Sequence, residues 1–475
     1  MHKKTQDISN ILLKAAQKAR RDNRNVKADM VTTTPVKWPV ECTVGPGLEG
    51  AIACQTRIGY VDGSRGRLVY RGYDVFDLCA HSTFEEVVYL LLHGHLPRAR
   101  QLASFKKRLA TYRYVPSTLR QLMSFPIENM HAMAGLRLGT NLMRQEFTFV
   151  DKASARPNVA EAIDSDEDSI PMETRPMGEE KAIYEFKREK GRRPRDVEPS
   201  LKDASSLDSC YHLISGVATI TAAIARLQQG RMPIEPDMEL SHAGNFLYMM
   251  TGRKPTPEEE RVMDIALILH ADHGMNASTF AAMVVASTLS DLYLSIGSGI
   301  AALSGPLHGG ANEQVLRTLI EIGDPANVPE WFEKARARKR RIMGFGHRVD
   351  KTYDPRARIL GPIAQHLAKK NKKTRHLYRT ARALEKEVVA KLGAEKGIFP
   401  NVDFYSGLVY HAMGIPNEMF TPIFAVSRVA GWTARTMEYL RTNRIFRPRA
   451  MYVGPLDRNY IHVSERNRRS SDKKR

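Results

Sequence analysis

A chain of 475 residues with a formal net charge of +20 invites a nucleic-acid reading, but the charge is unevenly spread. Residues 1–30 carry eight Lys/Arg against three Asp, and residues 464–475 carry six against two acids, so the ends alone supply +9. The body between them is moderately basic, which suits an anionic small molecule better than a polynucleotide, and basic ends read as solvated tails.

The composition, 42% hydrophobic and 26% charged, is that of an ordinary soluble globular protein. Cys42, Cys54, Cys79 and Cys210 have no C-x-x-C spacing and are too sparse for a disulfide scaffold, so a reducing, cytoplasmic setting is expected. Asp7, Asp22 and Asp29 argue against a transit peptide, and no secretory h-region is present. The small-and-apolar stretch from Thr279 to Leu303 is broken by Asp291, and reads as packed core helices, not a membrane span.

Residues 1–46 read as a basic extension ending in a Pro-containing stretch. From "GLEGAIACQTRIGYVDG" to "RLVYRGYDVFDL", alternation and an Asp-Gly turn predict a small strand or hairpin region. "STFEEVVYLLLHGHLP" then predicts a helix, with Ser82-Thr83 as its cap, an acidic first turn, and Gly94 and Pro97 bracketing its end. Residues 151–206 have an acidic half, a basic half and little apolar periodicity, so they read as an exposed or partly disordered insertion.

Helical patterning resumes at Tyr211 and continues to about Tyr439. In "TPEEERVMDIALILHADH", Thr256 is the expected N-cap, with Pro257 at the first helical position and three glutamates at the positive end of the helix dipole. Apolar residues cover nearly the whole circumference, so this helix should be buried and deliver "HADH" to the interior. The fold class is mainly α.

Chemistry concentrates in "LHADHGMNAST", "GPLHGGAN", "GFGHRVDKTYDPR" and "PNVDFYSG", with Arg428, Arg447 and Arg449 further on. His308 sits at a turn between Gly305-Pro306 and Gly309-Gly310, where backbone can approach a ligand. Taken singly, each histidine is more often a core residue, and Asp403 alone more often a helix cap. Together, a carboxylate, several histidines and several arginines form a carbon-acid set. The carboxylate takes a proton next to a carbonyl, a histidine stabilises the enolate oxygen, and arginines clamp carboxylates. A metal centre built on His270, Asp272 and His273 is the competing reading, and no HExxH or carboxylate–His repeat supports it.

These four motifs, in this order, resemble the citrate synthase family from about Gly47 to Gly454, apart from the 151–206 insertion. "YRGYD" and "FEEVVYLLLHG" fit the same family near the N-terminus. The resemblance implies a two-domain, mainly helical protomer with a small N-terminal β region. Residues 47–310 and 415–460 would form the large domain, 311–414 the small one, and 461–475 a basic tail. It implies a homodimer that condenses acetyl-CoA with oxaloacetate and hydrolyses citryl-CoA, needing no metal and no cofactor beyond the acetyl-CoA substrate, with no membrane or nucleic-acid partner. Asp403 would be the base, His308 the enol stabiliser and His347 the group polarising the ketone.

By the same resemblance, oxaloacetate would meet His273, Arg356 and Arg428, with Arg447 reaching the partner's site. CoA would meet Met343, Gly344, Phe345, Gly346, Arg348 and Lys351. Asp354 and Pro355 are expected to shape the turn presenting Arg356. Asp350 stands where many members carry Tyr, and Gly274 where some carry Glu. The alternatives are a 2-methylcitrate synthase using propionyl-CoA, sharing all these residues, and a catalytically silent homologue kept for assembly.

Overall fold

The computed structural model describes residues 3–22, 37–144, 206–346, 352–370 and 372–455, with 458, 460, 462 and 463. Apart from Ser206, the charged stretch 151–206 lies outside these residues, as do His347, Arg348, Asp350 and Lys351. The chain divides into two units, Met1–Arg444 and Ile445–Arg475.

Within the first unit, helix α1 spans Lys3–Asp22, followed by strands β1 (Gly59–Asp62), β2 (Arg67–Tyr70) and β3 (Tyr73–Asp74). The strands form an antiparallel sheet in chain order, with Gly59 opposite Tyr70 and Asp62 opposite Arg67. Asp62 closes the intervening turn by accepting from Ser64 Oγ and the Arg65 N–H. Helices α2 (Val75–His81), α3 (Phe84–His93), α4 (Ala99–Thr111), α5 (Pro116–Leu122) and α6 (Ala132–Leu142) follow. Beyond the undescribed stretch come α7 (Leu207–Leu227), α8 (His242–Thr251), α9 (Pro257–His270), α10 (Ala277–Ser287) and α11 (Leu292–Leu303). The rest of the unit is built from α12 (Ala311–Ile322), α13 (Val328–Ala337), α14 (Pro355–Ala368), α15 (Lys372–Val388), α16 (Val402–Ala412) and α17 (Phe420–Leu440).

Local signals place these ends where the sequence predicts. Thr83 Oγ1 accepts from the Glu86 N–H to start α3, and Gly94 ends it in the left-handed conformation that glycine adopts without a Cβ clash. Thr256 and Glu259 cap α9 reciprocally, and every residue from Val262 to His270 is buried.

The core is centred on α7 and α17, which pack together and are buried from Ser209 to Ala225 and from Phe420 to Thr436. Among the described residues, α7 is the one helix long and apolar enough to cross a membrane, yet it is enclosed by α4, α6, α8 and α17.

The N-terminal helix departs from the solvated tail expected of a basic end. Ile8 and Leu12 are fully buried, and α1 packs on α2, α9 and α14. Each such aliphatic side chain stabilises by roughly 1.5–3 kcal/mol, which outweighs the weak cost of gathering like charges on the outer face.

Candidate active site

The first turn of α16 is built around Asn401, which caps the helix by accepting the Asp403 N–H at 3.0 Å. Asp403 is therefore at the second helical position and is not the cap that its residue type alone suggested. Its side chain turns inward, and Oδ1 is buried with no hydrogen-bond partner. A buried carboxylate without donors favours its neutral form. Burial accordingly pushes the acid up to about 7, with Arg356 and Arg428 opposing and the charge of Asp354 reinforcing the shift. A carboxylate poised near neutrality is suited to accept a proton.

Two buried arginines share this interior. Arg356, in the first turn of α14, is held by Asp354 through Nε at 2.9 Å and Nη2 at 2.7 Å. Asp354 also accepts the Arg356 N–H at 2.9 Å as the N-cap of α14, which bears out its expected part in shaping this turn. Arg428 lies midway along α17, with its guanidinium 4.7 Å from the centroid of Phe424. Its Nε donates to the His270 carbonyl at 2.5 Å, while Nη2 is buried with no protein acceptor. Burial, helped by Arg356, pulls this arginine down to about 10, which still leaves it a cation at neutral pH. These two buried guanidinium groups, with Nη2 of Arg428 unmatched, suit the binding of carboxylates.

The loop before α14 reaches the same helix terminus. Phe345 pairs with Pro400 as an isolated bridge, and its ring lies 4.5 Å from that of Phe404. Gly344 has φ +82°, and an added Cβ would stand 2.6 Å from Val315 Cγ2, so this close approach requires glycine. Met343 packs partly buried against the core, and Gly346 donates its N–H to the Phe399 carbonyl at 2.9 Å.

Helix α9 delivers "HADH" inward as predicted, with His270 and Asp272 fully buried and His273 nearly so. His270 donates Nδ1–H to the Ala266 carbonyl at 2.7 Å, and its Nε2 is buried without a partner. Burial pulls that ring down to about 3, so it is neutral. Asp272 is gripped by Arg435 through Nε at 2.6 Å and Nη2 at 2.7 Å, and the Tyr70 hydroxyl donates to its carbonyl. The expected alternative of a metal on His270, Asp272 and His273 has no geometric support among the described residues, where no group of three such side chains is placed to hold an ion.

His308 lies in the turn after α11, half-buried, with Nε2 at 2.8 Å from Ser278 Oγ and 3.3 Å from the Ser278 N–H. Both contacts fix the ring through Nε2 against the first turn of α10, where the Ser278 hydroxyl also donates to Asn276 Oδ1 at 2.7 Å. Gly309 permits the turn, since a Cβ there would collide with the Leu303 carbonyl at 2.4 Å.

A buried, basic, histidine-bearing interior around an ionisable carboxylate suits condensation chemistry on an anionic substrate. A family model described as citrate synthase, C-terminal domain, matches residues 47–449. The chain belongs to the citrate synthase family. It is 40% identical over 423 residues to the citrate synthase of Deinococcus radiodurans, covering 89% of this chain and 99% of that one. It is 34% identical over 411 residues to a citrate/2-methylcitrate synthase of Bacillus subtilis, covering 86% and 96%.

Among solved structures, citrate synthase from Thermotoga maritima aligns with TM-score 0.72 at 37% identity, covering 89% of this chain and 99% of that one. The ternary complex of carboxymethyl coenzyme A and oxaloacetate with citrate synthase from Thermoplasma acidophilum aligns with TM-score 0.74 at 35% identity, covering 90% and 100%. The fold is therefore that of the citrate synthases, and the chain is an acyl-transferring enzyme.

Of the candidate residues, Asp403, Arg356 and Arg428 share one buried electrostatic neighbourhood, and the Met343–Gly346 loop is bonded to the helix that bears Asp403. Arg447 belongs to the C-terminal unit, where it is exposed and outside any helix or strand. Sequence reasoning did not single out Asn401 or Arg435 as site-building residues. Asn401 was detectable as a strong capping type directly after Pro400, and Arg435 as a charge seven residues from Arg428 on one apolar helix.

Proposed function

We propose that this citrate synthase family member condenses acetyl-CoA with oxaloacetate and hydrolyses the resulting citryl-CoA to citrate and CoA. The observation that carries the reading is the buried Asp403 carboxylate, partnerless at Oδ1 and raised to about 7, next to two buried arginines. Asp403 takes a methyl proton from the thioester, and the electron pair moves onto the thioester oxygen, which His308 stabilises. The enol carbon attacks the oxaloacetate ketone, whose oxygen gains a proton from His347. Water then cleaves the thioester and releases the thiol. Base and oxygen stabiliser must act together, because the α-proton is only weakly acidic, and binding both substrates in register supplies much of the remaining acceleration.

In this reading His273, Arg356 and Arg428 hold the oxaloacetate carboxylates, and Arg447 serves the site of a partner protomer in a homodimer. The backbone of Met343–Gly346 receives CoA, with Arg348 and Lys351 near its phosphates. No metal or further cofactor takes part, and the enzyme works in the cytoplasm. Closure over the substrates excludes water from the enolic intermediate. The test is thiol release with acetyl-CoA and with propionyl-CoA, each with and without oxaloacetate. Oxaloacetate-dependent release favouring acetyl-CoA is expected. A strong propionyl-CoA preference replaces this substrate assignment with 2-methylcitrate synthesis, and no release from either removes the assignment altogether.

A further inference from the structure

Three consecutive residues at the start of α16 meet three different parts of the site. Asn401 donates its backbone N–H to the Gly344 carbonyl at 2.9 Å and its Nδ2–H to the Gly346 carbonyl at 3.0 Å. Val402 donates its N–H to Asp354 Oδ2 at 3.1 Å, the same oxygen that holds Arg356 Nη2. Asp403 donates its N–H to Asn401 Oδ1 and bears the carboxylate. Capping needs only the Asn401 oxygen, so the Nδ2 bond to the loop is additional to what a helix start requires. Asp354 likewise exceeds the duty of an N-cap, since it binds a guanidinium and a second helix terminus together while almost fully buried.

We infer that Asp354 and Asn401 are positioning residues that join Arg356 and the 344–346 loop to the first turn of α16, so that filling one substrate site orders the other through the backbone of Asp403. This rests on the assignment of the two substrates above. Coupling needs a connected element that both ligands bias, and here the connection is four hydrogen bonds on one helical turn. A carboxylate arriving at Arg356 competes with Asp354 for the guanidinium, which changes the hold of Asp354 on Val402 and hence the placement of the base. Among the described residues, the charged and titratable groups that act on Asp403 are Arg356 and Asp354 from the start of α14, Arg428 from α17 and Tyr410 on its own helix. Removing the Asp354 charge therefore favours ionised Asp403.

The experiment compares the full-length wild type, Asn401→Ser and Asp354→Asn by three readouts. These are thermal unfolding, the dissociation constant of carboxymethyl-CoA with and without oxaloacetate, and the pH profile of kcat/KM. Serine keeps the cap and loses the Nδ2 donor, so the oxaloacetate-induced tightening should shrink by roughly fivefold or more, the lower end of ordinary coupling strengths. Asp354→Asn should raise the KM for oxaloacetate and move the acid limb to lower pH. Folded variants with reduced kcat, unchanged tightening and an unchanged limb overturn the inference. If the serine variant does not fold, threonine, which also caps, takes its place. Wild-type protein that neither binds carboxymethyl-CoA more tightly with oxaloacetate nor releases thiol from acetyl-CoA with oxaloacetate instead refutes the substrate assignment, which keeps the two failures distinct.

Discussion

The two buried arginines of α17 stand seven residues apart, on one face of one helix, and have opposite fates. Arg435 is matched by Asp272 through two bonds, and Asp272 accepts a third from the Gly274 N–H. Arg428 has a carbonyl and an aromatic ring as neighbours and an unmatched Nη2, while the nearby Asp403 has an unmatched Oδ1. Burying ions is costly, and complete pairing makes them tolerable as scaffold. Leaving donors and an acceptor unmatched in the same interior is destabilising by itself, so the incomplete end of α17 is where a polar ligand belongs.

The sharpest break of this contrast is Asp403→Asn, which should reduce thiol release about 10²–10⁴-fold, the usual contribution of a positioned base. Wild-type kcat/KM should rise with pH through about 7 as Asp403 ionises. Because the folded state raises this pKa, the stability contributed by protonated Asp403 is present below the ordinary carboxylate range and is lost as pH rises through about 7. The asparagine variant should therefore unfold at pH 8 no earlier than wild type in a thermal melt.

Asp272→Asn should behave in the reverse way, because it strands the Arg435 cation. A loss of about 3–5 kcal/mol is expected, read as a lower denaturation midpoint. Arg428→Met should raise the KM for oxaloacetate roughly tenfold or more, in line with the value of a hydrogen bond to a charged group, with little loss of stability. If Arg428→Met and Asp272→Asn destabilise equally, the distinction between scaffold and receptor ends of α17 fails. The smallest effect is expected from Ser278→Ala, about threefold on kcat, within the ~1 kcal/mol of one neutral hydrogen bond.

Elements with local signals were legible in the sequence. The capping box of α9, the αL glycine of α3 and the Asp62-Gly63 turn each depend on residues within a few positions of one another. The chemistry-bearing residues were legible as types and motifs, and the fold places Asp403, Arg356 and Arg428 together. What escaped was pairing at a distance. Asp272 meets Arg435 across 163 positions and Asp354 meets Val402 across 48, and neither separation leaves a periodicity to read. Asn401 and Asp403 both cap well, and the helix register that decides between them has Pro400 as its one local cue. The seat of α1 was missed because composition counts its charges and not the face on which Ile8 and Leu12 fall.

One contact has a consequence for how the site tolerates change. One of the two Ser278 groups that meet His308 Nε2 is the peptide N–H. Side-chain replacement at 278 removes the hydroxyl contact and leaves this N–H in place, so drift there weakens the hold on the histidine without abolishing it. An alanine scan would then score position 278 as minor while the interaction it houses persists. Proline is the one coded residue that deletes the N–H, and at the second position of α10 its fixed φ remains compatible with a helix start. The genetic robustness of this histidine is thus held in the main chain, out of reach of nearly every point mutation at its neighbour.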